Sequence, residues 1–188
     1  MKVMKAWKGL PVAVLLLCSF LCVASVKTSA VSAAGEHTHP ICGATHTDIG
    51  DHNANDCATV TYTAWDGTAD IDYGDDSTTA VYIYLTKNVE IKEAIMLPKG
   101  KTLYLCLNGY KLIRTTTSKN STIFVDAVIS VWEANTSFIL CDCQGGGAIT
   151  HSSNAFGRGV RVGSGTSGSR TFKMFGGEIR GNYSGTAT

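Results

Sequence analysis

Charge is scarce in this chain, and basic charge scarcest of all. Only 16 % of its 188 residues are Asp, Glu, Lys or Arg, and no lysine or arginine occurs between Lys27 and Lys87. Four of the 16 basic residues (Lys2, Lys5, Lys8, Lys27) and none of the 15 acidic ones lie in the first 34 positions. The remainder therefore holds 12 basic against 15 acidic groups, a net −3. Nucleic-acid binding relies on basic patches, and this balance speaks against it. Cysteine is sparse too, at seven in all, a density too low for a disulfide-held miniprotein. Long amphipathic helical patterns are missing, which argues against a helix-crossover α/β fold. Twenty glycines stand against three prolines. Val, Ile, Thr and Tyr gather in short runs, which favours strands. The length suits one domain with a real core.

What is present begins with a leader. Lys2, Lys5 and Lys8 give a positive start, and an apolar run over 10–26 follows, interrupted by Pro11 and Ser19. Thr28-Ser29-Ala30 and Ser32-Ala33-Ala34 both fit a small-x-small cleavage rule. The expectation is a secretory signal peptide over 1–34. The competing reading, an uncleaved membrane anchor, is disfavoured because the run falls short of the ~20 residues a span needs. Cys18 and Cys22 each follow leucine, where lipid attachment would want a small residue. Cleavage leaves no membrane span and five cysteines: Cys42, Cys57, Cys106, Cys141 and Cys143. An odd number outside the cell leaves a thiol unpaired or joins it to another chain.

A repeat runs through the second half. Thr102-Leu103-Tyr104-Leu105-Cys106, Ser137-Phe138-Ile139-Leu140-Cys141 and Thr171-Phe172-Lys173-Met174 share one pattern. Each is followed by a turn and another short strand. Leu103, Phe138 and Phe172 fall 35 and 34 residues apart, and Leu105, Leu140 and Met174 keep step with them. A period of that size marks a stacked repeat. Each cycle supplies about three short strands, and stacking every strand parallel on its counterpart, ~4.8 Å away, satisfies the recurrence. The expected fold class is all-β, a short parallel β-helix over 80–188 behind a polar lead-in at 35–79. The alternative is an antiparallel sandwich. The two aligned ladders are the expected core, and Asn108-Gly109 is an expected tight turn.

Several runs carry a resemblance. They are Leu105-Cys106-Leu107-Asn108-Gly109, Leu140-Cys141-Asp142-Cys143, Gly147-Ala148-Ile149-Thr150-His151 and Met174-Phe175-Gly176-Gly177-Glu178-Ile179-Arg180-Gly181-Asn182. With His37-Thr38-His39-Pro40-Ile41-Cys42-Gly43 and Tyr84-Leu85-Thr86-Lys87-Asn88-Val89, the chain resembles the N-terminal portion of adhesin-like repeat proteins, secreted or displayed by gut bacteria. The resemblance implies a right-handed parallel β-helix, pectin-lyase-like, at the bacterial cell surface. Such proteins continue for many more cycles, whereas this chain stops at Gly185-Thr186-Ala187-Thr188 without a cap. The expectation is a fragment whose open end self-associates.

Candidate sites follow from residue chemistry. His37, His39, Cys42, His46, His52 and Cys57 are zinc-ligand types, and His37, His39, Cys42 and Cys57 make a four-ligand set. The competing reading is a Cys42–Cys57 disulfide with solvated histidines. Cys106 and Cys141 occupy equivalent places in adjacent cycles, as a disulfide or as two small buried thiols, with Cys143 two residues on. Asp70-Ile71-Asp72-Tyr73-Gly74-Asp75-Asp76 invites calcium, but the glutamate that closes a calcium loop is absent, and a solvated acidic loop is the plainer reading. Gly163-Ser164-Gly165-Thr166-Ser167-Gly168 matches a dinucleotide fingerprint in form, yet strand rather than helix follows, so it reads as a turn.

Two classes of function remain. A non-enzymatic adhesin-like module would bind glycans or host surface, or act as a stalk or purely structural spacer. Arg158, Arg161, Arg170 and Arg180 could then meet an anionic glycan, and Tyr82, Tyr84, Tyr104, Tyr110 and Trp132 could stack on sugars. A β-helix polysaccharide lyase or hydrolase would work with paired acids, or with calcium and a basic residue acting on an acidic sugar. Hydrolysis would need two acids, and Asp142 with Asp126 or Glu178 is the pairing the cycles offer. Fold alone confers neither activity. The non-enzymatic reading is preferred.

Overall fold

The computed structural model describes residues 36–43, 53–76, 80–116, 126–163 and 167–183. The expected leader over 1–34, His46 and His52 lie outside the described residues. Within them the chain is nearly all-β, with a single 3-10 turn at Ala54–Cys57. The lead-in contributes β1 (His37–Pro40) and β2 (Thr59–Trp65). A first cycle follows: β3 (Ala80–Leu85), β4 (Val89–Ile91) and β5 (Ile95–Met96). A second comprises β6 (Thr102–Cys106), β7 (Lys111–Arg114) and β8 (Ala127–Val131). A third comprises β9 (Thr136–Cys141), β10 (Ala148–His151) and β11 (Arg158–Val162), and β12 (Arg170–Met174) and β13 (Glu178–Ile179) come last.

From β6 onward, every strand pairs in parallel with the strand three places earlier. β6 lies on β3, β9 on β6 and β12 on β9. β7 lies on β4, β10 on β7 and β13 on β10. β8 lies on β5 and β11 on β8. This pairing excludes the antiparallel sandwich for the repeated region. The register is the one the period predicts: Leu103 faces Phe138, Phe138 faces Phe172, Leu105 faces Leu140, and Leu140 faces Met174. Leu103, Leu105, Phe138 and Leu140 are wholly buried. The Phe138 and Phe172 rings stack at 5.4 Å. All five residues of β8 are buried, as expected of a parallel strand covered on both faces. Asn108 and Gly109 both take positive φ, 51° and 80°, and form the tight turn between β6 and β7.

The lead-in is more ordered than its polarity implied. β1 pairs antiparallel with β2, and β2 joins β3 in parallel, so both belong to the sheet that carries β6, β9 and β12. In Thr59–Trp65 threonines at 59, 61 and 63 alternate with Val60, Tyr62 and Ala64, and that period of two, rich in β-branched and aromatic residues, forms a strand. The acidic loop after it is held from within. Asp66 accepts from the backbone and hydroxyl of Thr68, and Asp72 accepts from the Gly74 amide. The Thr68 bonds hold the Asp66 carboxyl at about 2. The nearly buried Lys101 ammonium donates to the carbonyls of Tyr73, Gly74 and Asp76, while Ile71 and Tyr73 pack on the core.

Candidate metal centre

Side chains alternate along a strand, so the main sheet has two faces. Ile83, Leu85, Leu103, Leu105, Phe138 and Leu140 fill the core on one face. Tyr84, Cys106 and Cys141 point the other way, where they form a second cluster with Tyr62. The lead-in covers that second face. His37 stacks on Tyr84 with ring centroids 4.0 Å apart, and His39 stacks on Tyr62 at 4.3 Å. Gly43 closes against Cys141, where an added Cβ would sit 3.3 Å from the cysteine Cβ. Lys173, on β12, binds the Asp56 carboxylate at 2.9 Å. The covering segment thus reaches from β3 to β12.

Four donors converge beneath it. His37 and His39 are two apart on β1, so they share a face, with ring centroids at 4.9 Å. Cys106 ends β6, and Cys143 lies just beyond β9. One donor atom from each of these four residues lies within 4.8 Å of the others. The two sulfurs are 3.4 Å apart, and the Cys143 Sγ is 3.5 Å from His37 Nε2. His39 Nδ1 lies 2.6 Å from the Pro40 carbonyl. A carbonyl can only accept, so Nδ1 carries the proton and Nε2 carries the lone pair. That Nε2 is buried and has no hydrogen-bond partner.

Electrostatics follow the packing. Burial, then the neighbouring His39, lowers the His37 pKa. Burial also works against charge on His39, but the Cys106 side chain and the Pro40 carbonyl outweigh it and raise that pKa. Burial and the adjacent Cys106 push the Cys143 thiol up to about 12. Cys106 is pushed higher, by a hydrogen bond to Cys141 and by burial. Without a cation both sulfurs are thiols. With one, they would supply two negative charges in a partly buried place.

No family model, curated protein or solved structure matches this chain.

The sequence-derived ligand set is divided. His37 and His39 meet Cys106 and Cys143 rather than Cys42 and Cys57. Cys42 and Cys57 meet each other as thiols in hydrogen-bond contact, and burial together with that contact raises the Cys57 pKa. Neither Cys42–Cys57 nor Cys106–Cys141 is bridged as a disulfide. Cys106 and Cys141 do stack in register, and the Tyr62 hydroxyl lies 3.7 Å from the Cys141 sulfur. The period held part of the missing signal. A step of 35 places Cys141 over Cys106 and Cys143 over Asn108, and the Cys143 Sγ lies 3.5 Å from the Asn108 Oδ1. No spacing rule reveals that the lead-in folds back over them.

The other candidate residues are dispersed. Asp126 forms ion pairs with Arg158 and Arg161. Asp142 accepts from the Gly109 and Gly147 amides, each at 2.7 Å. Glu178 pairs with Arg180. Arg170 donates to the carbonyls of Trp132, Ser167 and Gly168. Arg158 and Arg161 lie on β11, Arg170 opens β12, and Arg180 follows β13. These strands belong to three different sheets, so the arginines do not form one patch. Tyr82 stacks on Tyr104 at 4.4 Å, and Arg161 lies over Trp132 at 5.3 Å. A groove of about 550 Å³ lies elsewhere, lined by Trp65, Ile71, Tyr73, Glu90, Ile91 and Met96 among others. Trp65 is an aromatic that the sequence reading did not single out.

Proposed function

We propose that this chain is an exported, non-enzymatic module, a right-handed parallel β-helix of the adhesin-like kind, that presents a stalk or a glycan-binding surface outside the cell. The observation that carries this reading is how the three candidate acids are used. Asp126 balances two arginines, Asp142 ties two turns together through backbone amides, and Glu178 is paired with Arg180. A glycosidase needs one carboxyl group to give a proton and a second to act as base or nucleophile. The parallel pairing of every strand from β6 onward with the one three places earlier supports the β-helix. The positive start and apolar run of the first 34 residues support export. The groove beside Trp65, with Asp70, Glu90 and Glu93 on its walls, offers an aromatic face and acceptors to neutral sugar hydroxyls.

The test is a glycan array read beside a product assay on the same polysaccharides. Binding without release of reducing ends or unsaturated uronates is the expected result. Release of either product overturns the reading in favour of a β-helix polysaccharide lyase or hydrolase. Neither binding nor release reduces the module to a structural spacer. Asp142→Asn is a poor discriminator, because it would disturb two turns as well as any chemistry.

A further inference from the structure

Among the described residues, the least explained group of side chains is the one under the lead-in. It combines two half-buried imidazoles with two sulfurs, one of them wholly buried. Its members come from three parts of the chain: β1, the end of β6 and the turn after β9. Nothing in the packing of the sheet requires hydrogen-bonding side chains there. The equivalent positions on the other face are leucine and phenylalanine.

We propose that His37, His39, Cys106 and Cys143 form a structural zinc site that clamps the N-terminal segment across two successive cycles of the sheet. Three observations carry it. The first is distance. Zinc holds thiolate sulfur at ~2.3 Å and imidazole nitrogen at ~2.0–2.1 Å, so its tetrahedral donors lie about 3.3–3.8 Å apart. The Cys143–His37 pair at 3.5 Å already matches the sulfur–nitrogen separation; the sulfur pair at 3.4 Å would open by a few tenths of an ångström toward the ~3.8 Å of two zinc thiolates, and the whole set spans no more than 4.8 Å. The second is the orphaned nitrogen. His39 gives its Nδ1 proton to a backbone carbonyl, the arrangement that fixes a metal-binding imidazole in the right tautomer. Its buried Nε2 lone pair then makes no well-formed hydrogen bond and faces the Cys106 side chain, an arrangement that a bound cation would satisfy. The third is charge. Two thiolates and two neutral imidazoles cancel a 2+ ion, so the closed site would carry no net charge into a partly buried place. Mixed sulfur and nitrogen donors in four-fold coordination select zinc over calcium or magnesium.

The site also accounts for the odd cysteine number. Of the five cysteines after the leader, Cys106 and Cys143 go to the metal, Cys42 and Cys57 face each other, and Cys141 is left as a buried thiol against Tyr62. Binding would fix residues 37–39 to residues 106 and 143, closing long loops through one ion. All four positions are filled by protein, as in structural rather than catalytic zinc sites. The inference rests on side-chain geometry and is independent of glycan binding.

The test uses the 188-residue chain purified without chelator under reducing conditions. Elemental analysis should find one zinc per chain. Cobalt substitution should give the intense visible bands of a tetrahedral ion with thiolate charge transfer. Cys143→Ser and His39→Ala should lower the zinc content from one to near zero, while Cys42→Ser and Cys57→Ser leave it at one. Chelation should expose residues 37–43 to protease in the wild-type chain. Absence of zinc or cobalt uptake by the wild-type chain overturns the proposal, as does a six-coordinate cobalt spectrum. So does loss of metal in Cys42→Ser, which would restore the set read from the sequence. Mapping of a Cys106–Cys143 disulfide in metal-free protein purified without reductant, with no zinc bound after reduction, overturns it as well.

Discussion

Asp142 shows how one side chain joins neighbouring cycles. Its two oxygens accept from Gly109, in the turn after β6, and from Gly147, in the turn after β9. Asparagine would keep one acceptor and set an NH2 against the other amide. Hydrogen bonds to a charged group contribute about 1.5–3 kcal/mol, so Asp142→Asn should cost about 1–3 kcal/mol in urea denaturation. His151 sets a pH dependence. Its Nδ1 is 2.7 Å from the Asn182 Oδ1, and the Asn182 amide nitrogen donates to the carbonyls of Ile149 and Arg180. His151 Nδ1 therefore holds the proton. Nε2 is buried without a partner, and protonation would add a donor with nowhere to go. Burial first, then the charge of Arg114, lowers this pKa below 6.5, although the Asn182 bond opposes the shift. A folded-state pKa below the unfolded one gives stability that is complete above pH 6.5 and is lost as pH falls through the lower folded value. The urea midpoint should thus drop more between pH 7.5 and pH 5 in the wild-type chain than in His151→Gln. Equal drops would refute the assignment.

At the scale of elements, stacking in register makes burial depend on how many neighbours a strand has. Leu140 on β9 lies between Leu105 and Met174 and is wholly buried. Among the described residues, Met174 on β12 has Leu140 as its one strand partner and is 42 % exposed. Leu140→Ala should cost about 2–5 kcal/mol, as for other buried leucines. Met174→Ala should stay within about 0.5 kcal/mol, the range of surface changes. Similar losses at both sites, measured by urea denaturation, would mean that β12 is covered in solution. This contrast was half legible in the sequence. The period identifies Leu105, Leu140 and Met174 as one ladder, but it treats all three as core. Exposure depends on the neighbour above, which spacing does not report.

For the whole molecule, the same stacking leaves edges. β11, β12 and β13 each stand at the end of their sheet among the described residues. Val162 and Met174 there are 44 % and 42 % exposed. Unpaired strands recruit other strands, and lysine on an edge blocks this. Sedimentation velocity should show this chain associating as its concentration rises, with Val162→Lys and Met174→Lys shifting it toward monomer. A wild-type chain that stays monomeric throughout would remove open-edge pairing as a route to assembly. The covering lead-in works in the opposite sense. It seals the tyrosine and cysteine face of the main sheet, and the proposed zinc would hold it there.

The sequence by itself determined the all-β class and the register of the ladders. It also placed the Asn108-Gly109 turn and the pairing of Cys106 with Cys141. These follow from a period of 34–35 residues and from local turn chemistry, which are properties of a line of residues. The tertiary structure alone decided which histidines meet which cysteines. The lead-in carries His37 and His39 along one short strand, but where that strand lies follows from its antiparallel pairing with β2 and from ring stacking on Tyr62 and Tyr84, with the Lys173–Asp56 ion pair tying down the turn that follows. Those contacts join residues far apart in the chain, and they bring the imidazoles to Cys106 and Cys143 while Cys42 and Cys57 turn to each other.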